Sequence, residues 1–277
     1  MVPAIFLMGV GPIARWKKAS VPELAVRLRW AFLASAATAL LLPLMFGEWK
    51  PLVSLGLLLA AWVISTAAVN LWDRVKTTSG QLTVWQKLRM QSRSYYGMQL
   101  AHLGVAVFII GVTLVTGYQA EKDVRMSAGD TVNVGGYDFR LKAVTDVMGP
   151  NYRAARAEIE VTRDGDYFRT MYPEKRSYLA SGNAMTETAI DTGLFRDLYI
   201  SLGEPLPDGA WSVRVHYKPF VTWIWGGALF MAMGGGLAVS DRRYALAARK
   251  QRSVLEPAKA EAVPTLTPAP AKLEAEI

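Results

Sequence analysis

One residue type in this sequence sits where it is expensive to keep. His102 lies inside a 22-residue uncharged run, residues 97–118 (GMQLAHLGVAVFIIGVTLVTGY). An imidazole at membrane depth is costly and marks a functional candidate. It falls five residues past Gly97, roughly 8 Å from that end of a helix. At 100° per residue Met98, Val105, Ala106 and Ile109 share its face. That face offers a thioether and apolar walls but no carboxylate, so a proton relay has no partner. A neutral imidazole ligating a planar metal cofactor is the sharper reading, with haem iron the commonest such group. The plainer reading is a packed histidine hydrogen-bonded to a neighbouring helix. The residues alone leave both open.

The other histidine, His216, alternates onto the polar side of a strand between Arg214 and Lys218 and reads as solvated rather than ligating. With two histidines and no cysteine, the chain lacks the means for a disulfide framework, a thiolate nucleophile, an iron–sulfur centre or a CxxCH haem tether. A Ser–His–Asp hydrolase and a multi-histidine metal site are equally disfavoured. Residues 9–14 (GVGPIA) fit the dinucleotide pattern GxGxxA, but no βαβ unit follows. The basic loop between Arg74 and Arg93 has too few interleaved aromatics for a nucleic-acid surface.

The elements that must position His102 are apolar. Hydrophobic residues make up 52% of the 277 and charged ones 19%, against about 25% charged in soluble domains. The excess is gathered in four uncharged blocks, residues 30–46, 51–72, 97–118 and 219–240. Since roughly 20 residues cross the hydrocarbon core, these read as transmembrane helices. The first two are joined by a link so short that they must be antiparallel. The net charge of +8 is unevenly placed. Arg15, Lys17, Lys18, Arg27 and Arg29 precede the first span. Arg74, Lys76, Lys87, Arg89 and Arg93 lie between the second and third, and Arg242, Arg243, Arg249, Lys250 and Arg252 follow the fourth. All three clusters alternate onto one side, which the positive-inside rule assigns to the cytoplasm. The opposite side, the trans side, receives residues 119–218. The apolar start, residues 1–10, has its basic cluster after it, the reverse of a signal peptide. It reads as the last turns of a membrane helix leaving towards the cytoplasm, with an interfacial helix as the alternative.

The trans-side stretch reads as β. Residues 131–134 and 137–141 alternate about Gly135-Gly136, and Ala157, Ile159 and Val161 lead to a turn at Asp164-Gly165. Trp211, Val213, Val215 and Tyr217 alternate in the last strand. A small antiparallel barrel or sandwich is expected. Tyr217, Phe220, Trp223 and Trp225 read as an interfacial aromatic belt. Gly97, Ala101, Gly104 and Gly111 form one small-residue face on the third span, suited to close helix packing. The organisation expected is therefore a polytopic α-helical membrane protein: transmembrane helices and basic loops over residues 1–118, a mainly-β trans-side domain over 119–218, a last span over 219–240, and a basic, then Pro/Ala/Glu-rich disordered tail over 241–277.

Seven ordered blocks carry a resemblance. GMQLAHLGVAV, EKDVRMSAGD, MGPNYRA, YPEKRSY, AMTETAIDTGLFRDLYISLGE, WSVRVHYKPF and VTWIWGGALFMAMGGGLAVSDRRY resemble the C-terminal part of the CcmF/NrfE family, the haem lyases of system I cytochrome c maturation. The resemblance implies covalent attachment of haem to the CxxCH thiols of apocytochrome c on the periplasmic side of a bacterial inner membrane. It implies haem delivered by a CcmE-type chaperone, CcmH/CcmI-type proteins handling the apocytochrome, and a haem b within the bilayer reduced by quinol. In the matching motif the histidine of the third span is one axial ligand of that haem, and here it is His102.

The departures matter as much. This sequence has no tryptophan-rich WWD segment, none of the family's periplasmic haem-binding histidines, and no second bilayer histidine. The expectation is half of a lyase, either a split subunit or a fragment, inactive without a tryptophan-rich N-terminal half. The alternative is a membrane-anchored scaffold whose β domain docks maturation partners while His102 merely packs. A haem or small-molecule transporter gains little support from spans without intramembrane charge.

Overall fold

A computed structural model describes residues 1–14, 20–77 and 82–241. Arg15, Lys17, Lys18, the basic residues from Arg242 onward, and all of the expected tail except Asp241 lie outside the described residues. The helices are α1 (Val2–Val10), α2 (Val21–Leu41, continued by a 3₁₀ turn Leu42–Phe46), α3 (Pro51–Thr77), the short α4 (Val84–Arg89), α5 (Arg93–Tyr118) and α6 (Val221–Val239). Four of these are long and apolar enough to cross a membrane: α2 with its 3₁₀ turn, α3, α5 and α6. Helix α2 begins nine residues before the uncharged block, because its charges are accommodated. Ser20 caps it by accepting from the Glu23 amide, Arg27 pairs with Asp73 of α3 at 2.8 Å, and Arg29 lies over the Trp30 ring.

Helix α1 runs alongside α3 in the same direction. Phe6 stacks on Trp62, whose indole N–H donates to the Phe6 carbonyl at 2.9 Å, and further along Asn70 donates to the Pro12 carbonyl at 3.0 Å. It therefore ends at the same face of the bundle as the basic loop after α3. Gly9, part of the dinucleotide-like pattern, is buried against Trp62 and Thr66.

Helices α5 and α6 are antiparallel and meet backbone to backbone. A Cβ on Gly97 would meet the Gly234 carbonyl at 2.5 Å, one on Gly104 the Met231 amide at 2.6 Å, and one on Gly111 the Ile224 amide at 2.8 Å. The glycines at 97, 104 and 111 recur every seven residues, a spacing that keeps one face of a helix on its partner. Gly227 and Gly234 answer them from α6. The small-residue face on α5 is thus the α6 seam. The opposite face of α5 packs on α3 through Ala106 against Ala60 and Val63 and through Thr113 against Gly56.

Between α5 and α6 the chain forms ten antiparallel strands in two sheets. They are β1 (Ala120–Met126), β2 (Thr131–Val134), β3 (Tyr137–Met148), β4 (Tyr152–Arg163), β5 (Asp166–Met171), β6 (Glu174–Tyr178), β7 (Ala184–Glu187), β8 (Ala189–Thr192), β9 (Arg196–Pro205) and β10 (Trp211–Pro219). One sheet is ordered β1-β10-β9-β8. The other is β2-β3-β4-β6-β7, with β5 also on β4. Both expected hairpins are present, β2–β3 and β4–β5. Alternate residues of each sheet face inward: Leu198, Ile200, Leu202, Val213 and Val215 from the first, and Phe139, Leu141, Ile159 and Val161 from the second. The result is a sandwich. Tyr217, expected in the aromatic belt, packs against this core instead, its ring 6.2 Å from that of Tyr137.

Among the described residues the sandwich contains three nearly enclosed acids, Glu174, Asp191 and Asp197. Glu174, 5% exposed, accepts from Arg156 at 2.6 Å and Arg176 at 2.7 Å. Burial alone would push its carboxyl up, but the two guanidinium groups outweigh that and hold it below the ordinary 4.5. A depressed carboxylate contributes stability above its unfolded pKa and loses it as pH falls through the folded one. The thermal stability of the chain should therefore fall below about pH 4.5. Glu174→Gln should reduce that acid limb, to which Asp123 and Asp208 also contribute. The same substitution should lower stability at neutral pH by roughly 1–3 kcal/mol. At the helix seam, Gly104→Ala should lower the detergent unfolding temperature by an amount corresponding to about 1–3 kcal/mol. Gly235→Ala, where a Cβ meets nothing within 4 Å, should be neutral or slightly stabilising.

Candidate functional site

His102 lies on the α3-facing half of α5, roughly 40° around the helix from Ala106 and roughly 160° from the seam glycine Gly104 at 100° per residue. Nδ1 is 2.7 Å from the Met98 carbonyl oxygen one turn earlier. A carbonyl only accepts, so Nδ1 carries the proton and donates. In a neutral ring that leaves Nε2 with a lone pair, the form a metal ligand needs. The ring is half-buried, as are Met98, Val105 and Ile109 on the same flank, while Ala106 is fully buried. Ile109, two turns from His102, joins Ile5 of α1 around Ala60, Val63 and Ala106. So α1 and α3 wall one side of this flank nearer the trans end.

A polar cluster adjoins it. Tyr95, Gln99 and His102 stand at i, i+4 and i+7, a continuous stripe on α5. The Tyr95 hydroxyl donates to Asn70 Oδ1 at 2.8 Å, and Gln99 Nε2 donates to the Tyr95 hydroxyl at 2.7 Å and the Ala67 carbonyl at 3.2 Å. Asn70 Nδ2 holds the Pro12 carbonyl, and the Arg74 guanidinium lies 4.4 Å from the Tyr95 ring centre. The cluster ties the α1 end to α3 and α5 beside His102. Sequence reading missed it. Its signal was available as three hydrogen-bonding residues on one stripe, but Asn70 belongs to another helix and only packing brings it in.

Among the described residues, two of the cavities lie between helices. One of about 630 Å³ is apolar and bounded by α1, α2 and Trp62, with Arg29 at its edge. The other, about 430 Å³, is lined by Lys50, Val53, Val112, Thr113 and Thr116 at the trans end of α3 and α5. Neither is lined by His102. Among the described residues no cluster of three His, Asp or Glu side chains could hold a metal ion, so His102 can supply one coordination bond of a larger set.

His216 differs from its expected solvated state. Its Nδ1 lies 3.3 Å from Glu121 Oε2, and its side chain is only 19% exposed. The register of β1 against β10 places Glu121 directly opposite, a cross-strand neighbour that the pattern of β10 alone does not disclose.

Four membrane-crossing helices, with an antiparallel sandwich inserted between the last two, define a multi-pass membrane protein carrying a β domain on one face. Residues 117–219 match the family described as CcmF C-terminal beta-sandwich. The chain is 44% identical over 244 residues to the cytochrome c-type biogenesis protein CcmF of Pseudomonas aeruginosa, covering 88% of this chain and 36% of that protein. It is 42% identical to CcmF of Escherichia coli, covering 92% and 38%. Over 162 residues it is 35% identical to the biogenesis protein NrfE of Haemophilus influenzae, covering 58% and 26%. A solved structure of a cytochrome c heme lyase CcmF shares the fold with a TM-score of 0.68 at 20% identity, covering 86% of this chain and 38% of that one. The chain belongs to the CcmF/NrfE family of cytochrome c-type biogenesis proteins and carries its C-terminal sandwich. It spans little more than a third of the length of the CcmF proteins it matches.

Asn70 is the hub of the polar cluster, so Asn70→Leu should leave the Tyr95 hydroxyl without its acceptor and the Pro12 carbonyl without its side-chain donor. An unfolding titration in mixed micelles should show a loss of about 1–2 kcal/mol, with Ser54→Ala, which removes a hydroxyl lacking any partner, unchanged or slightly stabilised.

Proposed function

We propose that this chain supplies the C-terminal part of a cytochrome c haem lyase and that His102 is an axial ligand of a haem b held within the bilayer. The observation that carries the proposal is the hydrogen bond from Nδ1 to the Met98 carbonyl, on a half-buried apolar flank, in a chain of this family. It fixes the tautomer that presents Nε2 as a lone pair, and no carboxylate competes for the ring. Nδ1–H donation to a carbonyl also raises the basicity of Nε2 towards iron.

The bound haem would accept and pass on single electrons, with quinol as donor, so that haem iron arriving for attachment is reduced. This chain's own residues do the holding. His102 supplies one coordination bond, Met98 orients the ring through its backbone, and Met98, Val105 and Ile109 keep water from that side. The Asn70–Tyr95–Gln99 cluster fixes α5 against α3 so that the imidazole keeps its direction. The second ligand and the remaining walls come from the tryptophan-rich N-terminal half. Thioether formation on apocytochrome c also needs that half, with CcmE-type and CcmH/CcmI-type proteins as partners, and this chain alone is inactive. The sandwich lies in the periplasm of a bacterial inner membrane, consistent with basic residues at the opposite ends of the helices.

The test is a haem spectrum of the chain purified with and without a co-expressed N-terminal half. A b-type signal that requires both chains, and that falls at least tenfold in His102→Ala without loss of α-helical or β-sheet circular dichroism, is the expected result. An undiminished signal in His102→Ala removes the ligand role and favours the scaffold reading.

A further inference from the structure

The turn between β8 and β9, residues 193–195, leaves two large apolar side chains uncovered: Leu194 is 61% exposed and Phe195 57%. Their backbone, in contrast, is tightly held. The three successive carbonyls of Gly193, Leu194 and Phe195 accept from the Thr222 hydroxyl at 2.7 Å, the Trp223 indole N–H at 3.1 Å and the Phe220 amide at 3.0 Å. The turn is therefore clamped onto the first turn of α6, whose N-cap residue has no side-chain hydrogen bond of its own. Phe220 adopts a left-handed conformation, φ 58°, uncommon for a bulky residue and persistent only where its surroundings over-determine it. The Phe195 ring lies 5.7 Å from that of Phe220 and 6.4 Å from that of Trp223.

The length of α6 sets the depth of this clamp. With 19 residues it spans roughly 28 Å at 1.5 Å per residue, against a hydrocarbon core of about 30 Å. No turn of α6 is spare, so Thr222 and Trp223 must lie at the hydrocarbon boundary. Groups hydrogen-bonded to them lie at the same depth. Trp225, two residues further in, is 74% exposed and faces outward.

We propose that Leu194 and Phe195 insert into the headgroup–acyl boundary of the trans leaflet and dock the sandwich on the lipid surface. The mechanical consequence follows from the sheet order. Both covalent tethers, Gln119 from α5 and Phe220 into α6, reach neighbouring strands β1 and β10 at one side of the sheet. Two adjacent tethers form an axis about which the domain can rock. The β8–β9 turn, across β10 from the β1 tether, is a third support that fixes its tilt against the bilayer.

Because the chain has no cysteine, Leu194→Cys carries a nitroxide label at a single site. Depth is read from collisions with oxygen and with nickel ethylenediaminediacetate, using the full chain in nanodiscs of phosphatidylethanolamine and phosphatidylglycerol. Pro207→Cys, in the exposed turn at the other end of β9, serves as an aqueous control roughly 30 Å away. The label at residue 194 should collide with oxygen severalfold more than with nickel, and the label at 207 should show the reverse. Phe195→Cys repeats the measurement should the first variant lose its β-sheet circular dichroism. Nickel accessibility at both turn positions equal to that at 207 overturns the proposal. Protection of the turn from both reagents also overturns it, since that means another protein surface covers it.

Discussion

The close approach of α5 and α6 is the constraint on which the other features rest. Helix axes are ordinarily 8–10 Å apart, whereas paired strands are about 4.8 Å apart. Here each of the two helices continues into a strand through a single residue, and those strands, β1 and β10, are hydrogen-bonded neighbours from Ala120↔Tyr217 onward. The helix pair must therefore already be narrow where it leaves the membrane. Glycines at 97, 104 and 111 facing Gly227 and Gly234 provide that narrowness by removing the side chains that would hold the backbones apart. At the other end the Asp241 carboxylate accepts from the Ser94 amide at 3.1 Å, keeping both helices in register.

This rigidity bears on His102. Helix α6 occupies one face of α5 and α3 the opposite one, and the imidazole stands on the α3-facing half. Its direction is set by the Met98 carbonyl and by a helix that cannot roll. In lipid, where an unmet polar group has no water to turn to, the Asn70–Tyr95–Gln99 cluster holds the same stripe of α5 through hydrogen bonds rather than apolar contact. The sandwich acts on the same frame from outside. Its β8–β9 turn caps the start of α6 with three carbonyls, so the β domain and the helix pair brace one another.

Much of this was legible in the residues. The membrane spans follow from uncharged length, and the seam on α5 follows from glycines at a repeat of seven. Two hairpins were readable from Gly135-Gly136 and Asp164-Gly165, which supply the positive-φ positions that tight turns need. Strand β9 had a readable period-two pattern in Leu198, Ile200 and Leu202, and the expectation passed over it. Strand β1 had none: AEKDVRM carries mostly charges, and it is a strand because α5 delivers it beside β10. Helix α2 started earlier than its apolar block because Arg27 finds Asp73 on a helix more than forty residues later, a compensation no local window contains.

The candidate site divides along the same line. Sequence by itself determined that an imidazole stands in an apolar helix without an acidic neighbour, and it placed the chain in its family through ordered motifs. Tertiary structure decided that the side of α5 carrying the ring faces α3, that Asn70 reaches Tyr95 and Gln99, that Glu121 stands against His216, and that the turn at Leu194 clamps the start of α6. The reason is physical. Hydrophobic length, glycine spacing and turn chemistry are local properties that periodicity exposes, whereas a hydrogen bond between distant segments exists only once packing has brought its donor and acceptor within about 3 Å.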